Sequence, residues 1–117
     1  MYCEQRRRNG ITIIDCFGRF DEVDTNQFIQ LLEQLQNQGN QHLILNLSHL
    51  YYLDPKVVNL LFFGHEFLQT HSGTFSLISP LSSVRDELFR GKIPNIIPTF
   101  ENMYDAMHRP HCAYQGC

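Results

Sequence analysis

Three consecutive pieces of sequence decide the fold: Leu43-Ile-Leu-Asn-Leu47, Ser48-His-Leu-Tyr-Tyr-Leu53 and Asp54-Pro55-Lys56. Four of the five residues from 43 to 47 are large and aliphatic, which is typical of a strand covered on both faces. Asp54 offers a carboxylate to the free N–H groups of a helix start, and Pro55 suits the first helical position because it lacks an N–H. The sequence therefore predicts a buried strand over 43–47, a short turn over 48–53 and a helix that begins at Asp54.

The rest of the chain alternates strand and helix patterns. Asn9-Gly10 is a strong hairpin signal, and Gly18-Arg-Phe-Asp21 interrupts the strand that follows it. Apolar spacing and stop signals predict a strand over 11–17, a helix over 25–38, the helix from Asp54 to about residue 71 and a strand over 74–78. They further predict a short helix before Gly91, a brief strand at Ile96-Ile97 and a last helix over 100–107. Alternation of this kind predicts an α/β fold: one domain over 1–107, with a mixed, mostly parallel sheet, an N-terminal hairpin and about four helices, followed by an irregular tail over 108–117.

Composition excludes several classes of protein. The 117 residues include nine basic and twelve acidic side chains, giving a formal charge of −3, so nothing draws the whole molecule to nucleic acid or an anionic membrane. Arg6-Arg-Arg8 is interpreted as a solvated strand edge or tail. No secretory signal is visible and the apolar stretch 57–68 is interrupted by polar residues, which predicts a cytoplasmic protein without membrane insertion, with its cysteines reduced and Cys16 buried as a small apolar residue.

The order of elements resembles the STAS domain, the fold of bacterial anti-sigma-factor antagonists and of cytoplasmic domains of sulfate-type transporters. The resemblance covers about residues 9–107. It is carried by Gly18-Arg-Phe-Asp21, the strand over 43–47, the turn Tyr51-Tyr-Leu-Asp54 and the apolar helix behind it. In antagonists of this family, the aspartate is followed by a Ser or Thr that a partner kinase phosphorylates, which turns binding off.

This chain departs from the family at that hydroxyl. Asp54 matches the aspartate, but Pro55 stands at the phosphorylated position, Lys56 follows it, and Val57 replaces the usual glycine. Proline has no hydroxyl, so the family's switch is predicted to be absent. Whether Ser48 or one of the nearby tyrosines is phosphorylated instead stays open.

The partner-binding residues are predicted around the helix start: Asp54, Pro55, Lys56, Asn59 and, from the loop before the first long helix, Asp21. Lys56 sits unfavourably at the positive end of a helix dipole, which suggests an acidic partner or anion. The plainer interpretations are that Asp54 is only a helix cap, that Lys56 is only solvated, and that Asp21 and Asp24 only begin a helix.

Catalysis and metal binding find little support in the sequence. There is no Gly-rich phosphate loop, no Ser or Cys in a recognisable nucleophile setting and no pair of carboxylates spaced for acid–base work, and the histidines are scattered, so no enzymatic activity and no cofactor are predicted. The tail does hold four residues of zinc-ligand type, His108, His111, Cys112 and Cys117, but their spacing matches no common zinc motif.

The sequence therefore predicts a non-catalytic protein-binding regulatory module, whose partner by resemblance is an anti-sigma-type kinase or a related regulator. Two alternatives remain: a cytoplasmic STAS-type accessory subunit of a membrane transporter, bound to a transporter component, and a small metal-binding or redox protein that uses the tail. A homodimer is also open.

Overall fold

The sheet sets the architecture of the molecule. The computed structural model describes residues 1–39, 42–80 and 82–108. Five strands lie in the order in which they occur in the chain: β1 (Tyr2–Arg8), β2 (Ile11–Phe20), β3 (His42–Leu53), β4 (Thr74–Ile78) and β5 (Thr99–Phe100). β1 is antiparallel to β2, and the other neighbouring pairs are parallel. The predicted mixed, mostly parallel sheet with an N-terminal hairpin is confirmed.

The described residues form four α-helices: α1 (Thr25–Asn37), α2 (Val58–Thr70), α3 (Ser83–Arg90) and α4 (Met103–His108). The main core lies on one face of the sheet and takes side chains from α1, α2 and α3, among them Phe28, Leu61 and Leu88. A smaller cluster on other sheet positions packs Ile13, Ile44, Ile78 and Phe100 against Ala106 of α4. The helices therefore cover the two faces of the sheet unequally.

The hairpin between β1 and β2 turns where the sequence predicts it. Asn9 and Gly10 have φ values of 54° and 78°. Two consecutive residues with positive φ are characteristic of a type I′ turn, whose twist matches that of the flanking strands. The Asn-Gly pair therefore fixes the register that places Arg8 opposite Ile11.

β2 and β3 are longer than predicted, and the predicted turn over 48–53 is wrong. β2 continues through Gly18 to Phe20, and β3 continues through 48–53 beside it. Two register shifts occur in this pairing, between Asp15 and Phe17 and between Gly18 and Arg19. Because such irregularities change which face a residue points to, Leu47, Leu50 and Leu53 are all buried although they are spaced by three. Because this spacing does not follow the alternation of buried and exposed residues expected in a strand, the sequence pattern does not predict a strand over 48–53.

The C-terminal part also differs from the prediction. Residues 96–97 are not a strand: a short 3₁₀ helix over Ile93–Asn95 precedes them, and the backbone N–H of Ile97 donates to the carbonyl of Ile93. The strand is instead Thr99–Phe100, beside β4. α4 starts later than predicted because Asn102 Oδ1 accepts a hydrogen bond from the backbone N–H of Asp105, an interaction typical of a helix cap.

A polar network crosses the first three strands. Arg6 donates two hydrogen bonds to Asp15, from Nε at 2.9 Å and from Nη2 at 3.2 Å, and Asn46 Nδ2 donates to Asp15 at 2.7 Å. Ser48 Oγ in turn donates to Asn46 Oδ1 at 2.6 Å. Burial acts to raise the pKa of Asp15, but the hydrogen bonds from Arg6 and Asn46 outweigh it and hold that pKa below its ordinary value. Arg6 is therefore part of a structural network and is not only a solvated edge residue.

We expect Asp15→Asn to destabilise the protein by about 1 kcal/mol at pH 7, since it removes charge-assisted bonds from a half-exposed arginine. A carboxylate with a depressed pKa contributes stability above its ordinary pKa and loses that contribution as pH falls through its folded-state value. The difference between wild type and variant in urea unfolding should therefore shrink below about pH 4. Glu33→Gln, at an exposed position of α1, is the control. A difference equal at pH 7 and at about pH 3 would contradict the assignment.

Candidate functional site

The helix start at Asp54 has the predicted cap. Asp54 has extended backbone angles, and its Oδ1 accepts a hydrogen bond of 3.0 Å from the backbone N–H of Lys56. Pro55 occupies the first helical position, and a 3₁₀ turn over Pro55–Val57 leads directly into α2. The N-terminal end of this helix therefore lies beside the C-terminal end of β3.

A backbone hydrogen bond joins this helix start to the end of β2. The N–H of Asp54 donates to the carbonyl of Phe20 at 2.9 Å, and Phe20 pairs with Leu53 in the parallel register. Asp21 and Asp54 each follow one member of that pair. The two predicted site positions, 33 residues apart in sequence, thus leave the same edge of the sheet.

The loop after β2 supplies the acidic partner of Lys56. Lys56 Nζ lies 3.0 Å from Glu22 Oε1. This hydrogen bond and the negative charges of Glu22 and Asp54 raise the pKa of Lys56. The ion pair is exposed, with side-chain exposures of 73% for Lys56 and 58% for Glu22, so it contributes little stability. Glu22 therefore offsets the unfavourable position of the Lys56 charge at the helix start, and Lys56 is not merely solvated.

Arg19 extends the site along the end of β2. Its Nε lies 3.4 Å from Asp21 Oδ2, and its guanidinium carbon lies 4.5 Å from the centre of the Tyr52 ring. These contacts connect the loop after β2 with the exposed end of β3.

Val23 is the most exposed of the large apolar side chains in the described part of the chain, at 87%. It lies between Glu22, which pairs with Lys56, and Asp24, which is buried. We call the following set the Asp54 surface: Arg19, Asp21, Glu22, Val23, Tyr52, Asp54, Pro55, Lys56 and Asn59. It contains charges of both signs, an aromatic ring and an apolar side chain, a composition suited to protein contacts.

All five site residues predicted from sequence lie at this edge. Asp54, Pro55, Lys56 and the exposed Asn59 come from the start of α2, and Asp21 from the neighbouring loop. Asp24 has a structural role instead, because it accepts hydrogen bonds from the backbone N–H of Asp21 and from the nitrogen of Met1. Sequence reasoning missed Arg19, Glu22, Val23 and Tyr52. The only local signal for Val23 was its position among acidic residues in a loop.

The hydroxyls closest to Pro55 in sequence lie on β3. Ser48 Oγ donates its hydrogen bond to Asn46 Oδ1, whereas Tyr51 and Tyr52 are exposed. None of them occupies the capped helix start. Residues 54–58 themselves are Asp-Pro-Lys-Val-Val and carry no hydroxyl.

The histidines are dispersed among separate contacts. His42 Nδ1 lies 2.9 Å from Thr74 Oγ1, His71 Nδ1 lies 2.7 Å from the carbonyl of Phe67, and His49 stacks on Phe17. Across residues 1–39, 42–80 and 82–108, no group of three or more His, Cys, Asp or Glu side chains could hold a metal ion. Of the tail candidates, His108 bonds to the carbonyl of Tyr104, while His111, Cys112 and Cys117 lie outside the described residues.

Within the described ranges, no helix has both the length and the apolar character needed to cross a membrane.

The cap at Asp54 has a measurable consequence for stability. We expect Asp54→Ala to lower the free energy of unfolding by about 1 kcal/mol, because the backbone N–H of Lys56 loses its acceptor. Chemical denaturation measures this difference, and Glu66→Ala, at an exposed position of α2, is the control. An unchanged denaturation midpoint would mean that the Asp54 carboxylate does not stabilise the helix start.

A protein-family model matches nearly the whole chain. The STAS domain model matches residues 2–106. The chain belongs to the STAS domain family. Comparison with curated protein sequences finds no significant match.

Solved structures of anti-sigma factor antagonists share the fold. An anti-sigma factor antagonist from Mycobacterium paratuberculosis superposes with a TM-score of 0.80 at 17% identity, covering 91% of this chain and 90% of the other. A putative anti-sigma factor antagonist from Thermotoga maritima gives 0.81 at 17% identity, covering 90% and 91%. The phosphorylated form of the Bacillus cell fate determinant SpoIIAA gives 0.68 at 18% identity, covering 94% and 100%. At these identities the likeness establishes a common fold.

Proposed function

We propose that this STAS domain is a non-catalytic, cytoplasmic regulatory module that binds a protein partner through the Asp54 surface. By likeness to the anti-sigma factor antagonists, the partner is an anti-sigma-type kinase or a related regulator. The observation that carries the proposal is the helix start at Asp54, joined by a backbone hydrogen bond to Phe20 at the end of β2, directly before the loop that presents Glu22 and Val23.

The composition of the Asp54 surface supports a protein rather than a small ligand as partner. Its exposed ion pair between Lys56 and Glu22 supplies one charge of each sign, and Val23 and Tyr52 supply apolar area beside them. Charged groups around an apolar contact steer the encounter of two proteins and fix their register. A partner that covers this surface would exclude water from the ion pair, which increases the Coulomb attraction at a desolvation cost that the new contacts must offset.

We also propose that this module stays competent for binding where related antagonists are switched off. SpoIIAA has been solved in a phosphorylated form, whereas the capped helix start of this chain presents Pro55 and no hydroxyl. A kinase partner would find no acceptor in the first turn of the helix. Binding would then be set by the concentrations of the two proteins, or by a control acting elsewhere.

The test is to incubate the purified protein with ATP and the anti-sigma-type kinase of its source organism. We expect a complex that persists in the presence of ATP and no phosphate on residues 54–58. Size-exclusion chromatography measures the complex, and mass spectrometry locates any phosphate. A Pro55→Ser variant, which restores a hydroxyl at the family position, is the matched comparison and is expected to be the better substrate.

Two results would overturn the proposal. Loss of the complex together with a phosphate on Ser48 or a nearby tyrosine would mean that the switch has moved to β3. Failure to bind the kinase, with specific binding to a transporter component, would favour the role of a transporter accessory subunit.

A further inference from the structure

Two cysteines face each other across the N-terminal hairpin. Cys3 on β1 and Cys16 on β2 are direct partners in the antiparallel register, and their Sγ atoms lie 3.9 Å apart. Both are free thiols in this structure. Neither belongs to the Asp54 surface.

The positions of the two cysteines fit the requirements of a disulfide. Directly opposed residues of antiparallel strands have Cα atoms about 4.5 to 5.5 Å apart, inside the range of about 4.4 to 6.8 Å found in disulfides. The sulfur atoms would have to approach to about 2.05 Å. Since the two side chains lie on the same face of the hairpin at paired positions, closing the bond requires side-chain rotation and a small adjustment of the edge strand.

The two thiols differ in accessibility and in acidity. Cys16 is fully buried in the main core, while Cys3 is partly exposed and its sulfur lies 3.6 Å from Gln27 Nε2. The hydrogen bond between the thiols lowers the pKa of Cys3 and, together with burial, raises the pKa of Cys16. Cys3 is therefore the thiol that meets a reagent from solution, and Cys16 is the one that remains protonated beside it.

We propose that Cys3 and Cys16 form a reversible dithiol–disulfide pair that is oxidised by low-molecular-weight disulfides of the glutathione type. The proposal is independent of the partner-binding function. It differs from a role for the tail cysteines, because both sulfur atoms lie within the folded domain.

The reaction proceeds by two thiol–disulfide exchanges. The Cys3 thiolate attacks one sulfur of glutathione disulfide, the S–S bond breaks, and one glutathione thiolate leaves and takes up the proton that Cys3 released. Cys16 then attacks Cys3 Sγ, the mixed S–S bond breaks, and the second glutathione leaves as a thiolate that takes up the Cys16 proton. Overall, two protein thiols are oxidised to one disulfide and one glutathione disulfide is reduced to two glutathione thiols.

The disulfide would act on the edge of the sheet. β1 pairs only with β2 among the described strands, and beyond that ladder its start is held by the bond between the Met1 nitrogen and Asp24 and by packing of Met1 and Cys3 on the main core. Cys16 also lies within the register shift between Asp15 and Phe17, where β2 departs from regular pairing with β3. A covalent link at this position ties the edge strand to the core at the irregular part of β2.

The experiment uses the full chain with Cys112→Ser and Cys117→Ser, so that only Cys3 and Cys16 can react. The protein is equilibrated with defined mixtures of reduced and oxidised glutathione, quenched with acid, alkylated and mapped by mass spectrometry. We expect a peptide that links Cys3 to Cys16, with the loss of two hydrogens, and its reversal by dithiothreitol. Amide hydrogen exchange in β1 is expected to slow by at least about tenfold on oxidation.

Two further variants resolve the order of steps. Cys16→Ala is expected to stop at Cys3 carrying one glutathione, and Cys3→Ser is expected to leave the buried Cys16 unmodified in the folded protein. Mapping of the parent protein decides the proposal even if a variant folds poorly. The proposal is overturned if Cys3 accumulates glutathione without a linked peptide, or if both thiols stay reduced in the most oxidising mixture.

Discussion

Replacing Phe20 with alanine is expected to lower the free energy of unfolding by about 3 to 5 kcal/mol. Phe20 is 0% exposed, and its ring centre lies 5.7 Å from that of Phe28 in the main core. Its carbonyl also receives the backbone hydrogen bond from Asp54. The substitution removes a large buried ring at the point where the core supports the site, so a cavity remains unless the end of β2 shifts.

Urea unfolding measures this loss. Phe89→Ala is the matched control, because Phe89 is 51% exposed and its truncation is expected to cost less than about 1 kcal/mol. If the two alanine variants differed from wild type by similar amounts, the end of β2 would not be the rigid support that the structure indicates.

The second large effect is expected on partner binding. Val23→Glu and Lys56→Glu are each expected to weaken binding of the proposed kinase partner by about 1 to 3 kcal/mol, roughly 5- to 150-fold in Kd. Val23→Glu places a charge where apolar contact is proposed, and Lys56→Glu leaves Glu22 facing a like charge. Both side chains are exposed, so thermal stability is expected to change little. Isothermal titration calorimetry gives the affinities.

The controls lie at the opposite end of the sheet. Tyr104 is 68% exposed and lies near the hairpin residues Arg8 and Asn9, so Tyr104→Glu introduces the same charge far from the Asp54 surface. Arg7→Glu is the corresponding charge reversal, since Arg7 pairs with Thr12 beside the hairpin turn. If these controls weakened binding as much as Val23→Glu and Lys56→Glu do, the partner would not be recognised through the Asp54 surface.

Features with strong local signals could be predicted from the sequence. The Asn9-Gly10 turn, the spacing of apolar residues in α1 and the Asp54-Pro55 helix start each depend on neighbours within a few residues. All three occur in the structure as predicted. The family resemblance depends on the order of these local signals, so the STAS fold could be predicted from the sequence.

Features that depend on distant residues could not be predicted. The extension of β3 requires β2 beside it with two register shifts, so Leu50 and Leu53 do not follow strand alternation. The pairing of Lys56 with Glu22 and the anchoring of Arg6 by Asp15 each join different elements. Similarly, the exposure of Val23 follows from the path of the loop after β2, which no local pattern specifies.

The location of the proposed site could be predicted from the sequence, but most of its side-chain contacts could not. A strand leading into a capped helix start indicated where a partner would bind, and the absence of a hydroxyl at Pro55 was readable directly from the sequence. The sequence does not show that the loop over 21–24 lies beside this helix start. The backbone hydrogen bond from Asp54 to Phe20 brings the two together in the structure.

Hydrogen–deuterium exchange of the wild-type protein, alone and in complex with the proposed kinase partner, tests most directly whether the Asp54 surface binds the partner. We expect slower exchange confined to the segments 19–24 and 52–59, with the hairpin turn and α4 unchanged. Slower exchange at the hairpin and α4, with unchanged rates around Asp54, would contradict it.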